Sequence, residues 1–319
     1  MSNKEQVCVT GAGGYLASWL VKLLLSKGYI VHGTVRDPSD NKNAHLKKLD
    51  NATENLKLFK ADLLEYEGLC TAIEGCIGVF HVASPLPSPG EYVPKEQLME
   101  PAVTGTRNVL NACSKAKVKK VIVVSSVAAV ALNPNWPKEQ IMDEECWSDL
   151  EFCEAIKNWY FLAKTAAEKE AWECAKRSNL NVITVCPSLI IGPLLQPTMN
   201  ATCLYLLNLL KDGSELVENR TTPHVDVRDA AESLLLVYEK PEAEGRYICS
   251  SHEISTQDLV DKLKLMYPQY NYPKSFSEGM VWTRVSSRKL QDLGWKYRQL
   301  EETITDAVKN YEERGVLAS

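Results

Sequence analysis

Tyr160 and Lys164 are the two side chains in this sequence whose types and spacing most suggest catalysis. They stand in NWYFLAKTAAEKEAWE (158–173), a run rich in helix-forming residues with no Pro or Gly. Residues four apart lie on one face of a helix, with Cβ atoms roughly 5–6 Å apart. A free phenol titrates at about 10, and a neighbouring ammonium favours the phenolate. The pair therefore predicts a proton donor with a cationic partner, as carbonyl reduction requires.

Two serines at the end of a predicted strand supply a third polar group. The run KKVIVVSS (119–126) is apolar and β-branched until it reaches Ser125 and Ser126. Ligands of open α/β sheets bind at the carboxyl ends of the strands. Carbonyl reduction creates an alkoxide, whose developing charge needs a hydrogen-bond donor. Ser126 is the predicted donor, with Ser125 as the less favoured alternative. Without such a partner, ordinary helix packing would explain Tyr160 and Lys164.

The elements that must position these groups follow from short apolar runs. They are QVCVT (6–10), YIVHGTV (29–35), LKLFKA (56–61), GVFHVA (78–83), KKVIVVSS (119–126) and NVITVCP (181–187). Helices are predicted between them, at 18–26, 63–73, 98–116 and 159–177. Strands without polar alternation suit a sheet that is buried on both faces. The sequence therefore predicts an α/β fold with a Rossmann-type doubly wound parallel sheet.

The first of these strands leads into a glycine-rich turn. VTGAGGYLAS follows the strand and opens the first helix. Its Gly11, Gly14 and Ala17 give a G-x-x-G-x-x-A spacing, in which small residues let the backbone approach a pyrophosphate at the helix N-terminus. A glycine turn alone is weak evidence, but its place after the first strand predicts a dinucleotide site.

The end of the second strand discriminates between the two nicotinamide cofactors. Arg36 stands there in TVRDPSDNK, and Lys42 follows six residues later. Arg suits a phosphate dianion and Lys adds a second charge, so the predicted cofactor is NADP(H). Asp37 leaves NAD open as an alternative, and a solvated turn would explain the same charges.

Further cofactor contacts are predicted at other strand ends. Asp62 ends the third strand, where it would bind the adenine amino group or cap the following helix. Val82 and Ala83 lie where the fourth strand would line the cofactor. The predicted set is completed by Tyr15, Leu16, Leu63, Pro187 and Ile190, together with Tyr160 and Lys164.

The chain changes character after the sixth apolar run. Residues 190–223 are predicted to be a Leu-rich loop region, 225–240 the end of a strand and a helix, 255–267 a helix and 267–279 loop. We therefore predict two domains. Residues 1–189 form the NADP-binding Rossmann domain, and residues 190–319 form a smaller C-terminal substrate lobe that is interleaved with it.

Composition argues against several other classes of protein. The net charge of −5 comes from 36 Lys and Arg against 41 Asp and Glu without a basic block, which disfavours nucleic acid and membrane partners. Ten cysteines without a C-x-x-C pair are expected to be buried free thiols, and five scattered histidines predict no metal site. No signal peptide or membrane-spanning run is visible. A cytoplasmic protein is expected, and its oligomeric state stays open.

These motifs together resemble the extended short-chain dehydrogenase/reductase superfamily over essentially the whole chain. KNWYFLAK, GTVRDPSDNKNAHLKKL and GPLLQPTMNA are more narrowly similar to the plant cinnamoyl-CoA reductase and dihydroflavonol reductase branch. The resemblance implies NADPH-dependent reduction of a phenylpropanoid carbonyl, with Ser126, Tyr160 and Lys164 as the triad.

Departures from that branch bear on the substrate. Cinnamoyl-CoA reductases typically carry N-W-Y-C-Y-G-K, whereas residues 161–163 here are Phe, Leu and Ala. They usually place a His and a Lys where this chain has Tyr205 and Asn208, a basic residue where Thr256 stands, and V-H-V in place of V-D-V at Asp226. Fewer cations to hold the phosphates of coenzyme A favour a smaller, uncharged substrate, although core packing explains Tyr205 equally well.

We therefore expect an NADPH-dependent reductase of the cinnamyl alcohol dehydrogenase type, which converts an aromatic aldehyde such as coniferaldehyde into its alcohol. Ser126, Tyr205 and Asn208 are its predicted substrate contacts. The Pro-rich loop 84–94, with Ile190 and Met199, is expected to line a pocket for the aromatic substrate.

Other functions fit the same motifs. A cinnamoyl-CoA reductase would hold the coenzyme tail with other cations, such as Lys211 or Arg220, and a flavonoid ketone reductase would share the chemistry. A nucleotide-sugar epimerase or dehydratase shares the Tyr and Lys pair, but a dehydratase usually has an acidic residue where Val127 stands. A non-catalytic cofactor sensor would not need the pair.

Overall fold

The central element of the fold is a sheet of seven parallel strands. The structure is a computed structural model that describes residues 5–84, 93–137, 139–281 and 284–318. Within these residues the sheet consists of β1 (Gln6–Val9), β2 (Ile30–Val35), β3 (Leu56–Lys60), β4 (Gly78–His81), β5 (Lys120–Val124), β6 (Val182–Pro187) and β9 (Gly245–Cys249). The strand order is β3-β2-β1-β4-β5-β6-β9, and neighbouring strands run parallel. All six predicted strands form, and the predicted Rossmann-type fold class is confirmed.

Helices cover both faces of this sheet. They are α1 (Tyr15–Ser26), α2 (Ala44–Lys47), α3 (Ala52–Asn55), α4 (Tyr66–Ile73), α5 (Lys95–Lys115), α6 (Leu150–Ala155), α7 (Trp159–Ser178), α8 (Ala201–Lys211), α9 (Val227–Glu239), α10 (Thr256–Met266), α11 (Arg288–Asp292) and α12 (Leu300–Glu313). The four helices predicted between the strands correspond to α1, α4, α5 and α7, with ends that differ by a few residues.

The strands are apolar throughout because alternate side chains enter two different cores. In β1, Val7 and Val9 face a core that includes residues of α1, α8, α9 and α12, whereas Cys8 faces one that includes residues of α4, α5 and α7. Successive side chains of a strand point to opposite faces, so both faces demand apolar residues. Polar groups are consequently concentrated at the strand ends.

The prediction of loop for residues 190–223 is wrong, because this region contains α8 and most of a long strand. The smaller sheet consists of β7 (Leu189–Ile191), β8 (Val217–Asp226), β10 (His252–Ser255) and β11 (Phe276–Val281). Helix α8 buries Cys203, Leu206 and Leu210 in the first core, at the spacing of three and four residues that defines an apolar helix face. The prediction of loop for 267–279 is also partly wrong, since β11 begins at Phe276 and pairs with β8.

The chain after residue 190 contributes to both sheets. Strand β9 adds to the edge of the central sheet beside β6, and side chains of α9 share the first core with those of α1. Residue 190 is therefore not a boundary of the central sheet, and the division into two domains stays a prediction.

Two further features of composition have structural counterparts. All ten cysteines are free thiols, and all except the half-buried Cys70 are buried. Within the described residues, none of the helices has the length and apolar character that crossing a lipid bilayer would take.

One lysine joins the central sheet to α9, and its removal should lower stability. Lys120, the first residue of β5, donates to the carbonyls of Val237 (3.3 Å), Tyr238 (2.9 Å) and Lys240 (2.8 Å) at the end of that helix. Lys120→Met should lower the free energy of unfolding by about 1–2 kcal/mol, because the final carbonyls of α9 lose their cationic donor. Urea denaturation would measure this. The neighbouring exposed Lys119 is the matched control, and an equal loss in Lys119→Met would contradict the assignment.

Candidate active site

Tyr160 and Lys164 lie in the first turns of α7, beside the carboxyl end of β5. The helix begins after Asn158, whose side chain accepts a hydrogen bond from the N–H of Phe161 at 3.3 Å. Tyr160 is half-buried, and its ring packs edge-to-face on Phe161 with centroids 6.1 Å apart. Lys164 is buried, and its Nζ donates to the carbonyl of Val124 at 3.0 Å. The backbone at the end of β5 therefore holds the ammonium near the site.

The two serines after β5 point to different partners. The Ser126 hydroxyl lies near the Tyr160 phenol, whose pKa it lowers, and its Oγ accepts from the N–H of Ala128 at 3.1 Å. Ser125 is buried and its Oγ donates to Glu168 Oε2 at 2.6 Å. Of the two alternatives left open by the sequence, the structure brings Ser126 to the phenol.

The electrostatics of the pair differ from the prediction. Burial raises the pKa of Tyr160 above its usual value, and the nearby Ser126 hydroxyl opposes that rise. Burial also lowers the pKa of Lys164 to about 8, against the opposing effects of Cys186 and Glu168. Lys164 is not among the groups that lower the Tyr160 pKa, so the expected lowering is not seen in this structure. The phenol is thus in its acid form at neutral pH, the form that can donate a proton.

The glycine turn has the shape that a pyrophosphate requires. Gly11 has φ +65°, and a Cβ at this position would lie 3.0 Å from the Cβ of Ala83. Gly14 is the N-cap of α1 and provides no side-chain cap, so the first N–H groups of the helix stay free for an anion. These residues fit the diphosphate of a nicotinamide dinucleotide.

Two threonines that the sequence analysis missed hold this turn in place. The Oγ1 of Thr10 accepts the N–H groups of Val82 and Ala83, both at 3.0 Å, and the N–H of Gly11 donates to Thr34 Oγ1 at 3.0 Å. Thr10 Oγ1 also lies 3.0 Å from His81 Nδ1. Their position at or near the ends of β1 and β2 was the available signal. Val82 and Ala83 therefore contribute to the site through their backbone.

His81 is neutral within this network. Burial, and secondarily the charge of Lys164, lower its pKa to about 3. Its Nε2 lies 3.3 Å from Thr106 Oγ1, so a proton on Nε2 leaves Nδ1 free to accept from Thr10. No cluster of His, Cys, Asp or Glu with the arrangement of a metal site occurs in the part of the chain that the structure describes.

The charged residues after β2 lie at the surface. Arg36 is exposed, and Lys42 pairs with Asp40 at 2.7 Å. Asp37 Oδ1 accepts from the N–H (2.9 Å) and the hydroxyl (2.7 Å) of Ser39. The Asp37 carboxylate, on which the NAD alternative depended, is thus hydrogen-bonded within its own turn. This favours Arg36 and Lys42 as the groups that bind a ribose phosphate.

Other predicted cofactor contacts are held by the protein itself. Asp62 Oδ1 accepts from the N–H of Leu64 at 2.9 Å, as a cap would, although the N-cap of α4 is Glu65. The carbonyl of Leu63 accepts from Asn108 at 2.9 Å, which ties the end of β3 to α5. Neither contact excludes a cofactor.

The side chains of Tyr15 and Leu16 belong to the first core rather than to the glycine turn. A Cβ at Gly192 would lie 3.5 Å from the Tyr15 hydroxyl, so this ring points into the interior. These two residues can therefore offer only backbone N–H groups to a cofactor. Pro187 ends β6, and Ile190 is half-buried in β7.

The predicted substrate residues lie around α8 and β8. Tyr205 is partly buried and stacks on His224, with ring centroids 6.2 Å apart. Burial raises the pKa of its hydroxyl, and the nearby Thr256 hydroxyl and the charge of Arg220 oppose that rise. Thr256 in turn donates to the carbonyl of Arg220 at 3.1 Å. A cation therefore lies close to Tyr205, although the family's basic residues are missing there.

The remaining substrate predictions have separate outcomes. Asn208 is exposed one turn after Tyr205 on α8. Asp226 is structural, since it caps α9 and pairs with Arg228 at 2.7 Å. Most of the Pro-rich loop, residues 85–92, lies outside the described residues, so its predicted place in an aromatic pocket stays a prediction.

Comparisons with known proteins identify the family. Residues 7–249 match the model of the NAD dependent epimerase/dehydratase family. The chain belongs to this family. It is 46% identical over 318 residues to "Cinnamoyl-CoA reductase 1" of Petunia hybrida, which covers 98% of this chain and 94% of the relative.

Two solved structures have the same fold. Vestitone reductase from alfalfa has a TM-score of 0.84 at 31% identity, covering 98% of this chain and all of that one. Yeast methylglyoxal/isovaleraldehyde reductase Gre2, complexed with NADPH, has a TM-score of 0.83 at 26% identity, with 98% and 100% coverage. The predictions of the family, the fold class and a nicotinamide-dependent oxidoreductase are confirmed, and NADP(H) as the cofactor is supported.

The close approach of Gly11 to Ala83 leads to a prediction about cofactor binding. Gly11→Ala should weaken NADPH binding by about tenfold or more, equivalent to about 1.4 kcal/mol, because the new Cβ displaces the backbone that approaches the pyrophosphate. NADPH fluorescence on titration would measure the dissociation constant.

Gly28→Ala is the matched control for that experiment. Gly28 also has a positive φ, +86°, but a Cβ there meets no atom within 4 Å. Both variants should lose about 1–2 kcal/mol of stability from backbone strain, and only Gly11→Ala should lose affinity. Equal affinities in the two variants would contradict a pyrophosphate site at the turn.

Proposed function

We propose that this protein is an NADPH-dependent reductase of phenylpropanoid carbonyl compounds, with a hydroxycinnamoyl-CoA thioester as its first candidate substrate. The observation that carries the proposal is that the Ser126 hydroxyl lies close enough to the Tyr160 phenol to lower its pKa, one helical turn from buried Lys164. This arrangement places two hydroxyl groups where a carbonyl oxygen can receive both. The 46% identity to a cinnamoyl-CoA reductase supports the substrate class.

The protein's part in the reaction is to bind and protonate the carbonyl oxygen. NADPH, when bound at the glycine turn, supplies the hydride that adds to the carbonyl carbon. Ser126 donates a hydrogen bond to the oxygen as negative charge develops, and Tyr160 transfers its proton to it. Lys164 supplies the nearby positive charge. With a thioester, the hydroxyl proton then leaves the oxygen as the C–S bond breaks, and the departing sulfur takes up a proton, so that the aldehyde and the coenzyme A thiol are the products.

A free hydroxycinnamaldehyde is the second candidate substrate, and a specific observation favours it. Tyr205, Asn208 and Thr256 replace the basic residues that the resemblance leads one to expect, so the site has fewer cations for phosphate groups. The expectation of a cinnamyl alcohol dehydrogenase rested on this difference.

Arg220 weakens the argument that the site lacks cations for the phosphates of coenzyme A. Its guanidinium acts on the Tyr205 hydroxyl, it is largely exposed, and it pairs with the partly exposed Glu218. Because an exposed pair of this kind is weak, the guanidinium is available to the phosphates of coenzyme A. Arg220 and the similarity to a cinnamoyl-CoA reductase therefore favour the thioester over the aldehyde as the substrate.

A comparison of two substrates tests the proposal most directly. Initial rates of NADPH oxidation should give a higher kcat/KM with feruloyl-CoA than with coniferaldehyde. A higher value with the aldehyde would replace the first candidate with the second, and no activity with either would contradict the proposed substrate class.

The proton donor can be tested on either substrate. Tyr160→Phe should lower kcat by about 100-fold or more, because the reaction loses its general acid, while the NADPH dissociation constant changes by less than about twofold. Tyr297→Phe, at an exposed tyrosine, should leave kcat unchanged. Activity that survives Tyr160→Phe would show that another group donates the proton.

The role of Arg220 predicts a difference between the substrates. Arg220→Gln should raise KM for feruloyl-CoA by about tenfold, as expected for the loss of a charge-assisted phosphate contact, and should leave KM for coniferaldehyde unchanged. Lys211→Gln, at the exposed end of α8, is the control. If Lys211→Gln alone raises the thioester KM, the tail is held at that lysine and the assignment of Arg220 is wrong.

A further inference from the structure

A buried ion pair lies directly behind the proposed site. Glu168 is one helical turn after Lys164 on α7 and is 1% exposed. Arg246, on β9, is 7% exposed and donates to Glu168 through Nε at 2.7 Å and Nη2 at 3.1 Å. Such a bidentate contact between an arginine and a carboxylate is among the strongest that side chains form.

The Glu168 carboxylate has donors from two further strands. It accepts from Ser125 Oγ of the β5 end at 2.6 Å and from Thr184 Oγ1 of β6 at 2.7 Å. The Cys186 thiol of β6 lies 3.7 Å from Oε2, and burial raises its pKa, so it stays neutral. The carboxylate thus joins α7 to the carboxyl-terminal end of β5 and to the middle of β6.

The Arg246 guanidinium is fully engaged as well. Its Nη1 donates to the carbonyls of Glu144 at 2.8 Å and Cys146 at 2.7 Å, and its plane covers the ring of Trp147 at 3.7 Å. Its charge is therefore compensated within the protein and is not free to bind a ligand.

An ion pair of this kind is not explained by stability alone. Buried pairs lose so much hydration that apolar residues of similar size are often as stable. What distinguishes this pair is its place. It contacts Ser125, the residue before Ser126, and lies one helical turn from Lys164.

We propose that Glu168, held by Arg246, is a positioning residue of the active site. It turns Ser125 away so that Ser126 faces Tyr160, and it provides the negative charge that keeps the Lys164 ammonium protonated in a buried setting. This inference rests on the proposed function for the role of the triad, but not for the charge of Lys164.

The other groups around Lys164 do not supply this charge. His81, from β4, is neutral because its pKa is about 3, Tyr160 is protonated, and Cys186 is a neutral thiol. Among the described groups that act on Lys164, Glu168 alone combines a carboxylate with full burial. Its removal should therefore lower the Lys164 pKa further below its present value of about 8.

The experiment is the pH dependence of NADPH binding, which needs no substrate. The dissociation constant of the wild-type protein should change slope near the Lys164 pKa of about 8, and Lys164→Met should remove that inflection. In Glu168→Gln, which keeps the side-chain volume, the inflection should move to lower pH by about one unit. The pH profile of kcat should move in the same direction.

Glu170→Gln is the matched control. It removes the same charge from the same helix, but Glu170 faces Arg107 and Arg177 at the surface. Its inflection should coincide with that of the wild-type protein. If Glu168→Gln also coincides with the wild-type protein, Glu168 is structural only and the inference is overturned.

A second variant covers the case in which Glu168→Gln folds poorly. Glu168→Gln with Arg246→Met removes both charges, so no guanidinium is left buried without a partner. A downward shift smaller than that of Glu168→Gln is expected, because the Arg246 charge, which itself disfavours the Lys164 ammonium, is removed as well. An unchanged inflection in this folded variant would overturn the inference. If no hydroxycinnamoyl substrate is reduced, the proposed function fails, while the binding experiment still decides the role of Glu168.

Discussion

The structure depends on one constraint, which is that its central sheet is covered by helices on both faces. Strands in this position favour apolar side chains along most of their length, and the polar groups inside them, such as Thr184 of β6 and Arg246 of β9, bind partners within the protein. Parallel strands all end at the same edge, so the polar groups that the cores exclude are gathered there. Thr10, Val82, Ser126 and the first turns of α7 meet for this reason. The site is a consequence of how the sheet is buried.

The same constraint explains why much of the fold could be predicted from the sequence. Apolar runs without polar alternation indicate strands that are buried on both faces of the sheet, and Gly11 indicates the turn that follows the first of them. The smaller sheet lacks that signal. β8 is a long strand with polar residues such as Asn219 and Thr221 and only partial burial along most of its length, so its sequence resembles a loop. Its pairing comes from distant segments, which no local pattern announces.

The candidate site was predicted in its residue types more accurately than in its physics. Ser126, Tyr160 and Lys164 converge as their spacing indicates, but spacing does not reveal which charges compensate one another. The Tyr160 pKa is not lowered by Lys164, whose own pKa depends on burial, Cys186 and Glu168. Tyr15 and Leu16 illustrate the same limit, since a residue beside a glycine turn can present only its backbone to the ligand when its side chain fills the core.

The pair of Glu168 and Arg246 also has a consequence for the order in which the chain can complete its fold. The two residues are 78 positions apart, and the arginine belongs to the last strand to join the central sheet. During synthesis, domains tend to fold as their sequence emerges. Until residue 246 has left the ribosome, Glu168 of α7 lacks the guanidinium that pairs with it in the folded chain. The packing of the first 190 residues around this carboxylate is therefore completed by a later part of the chain.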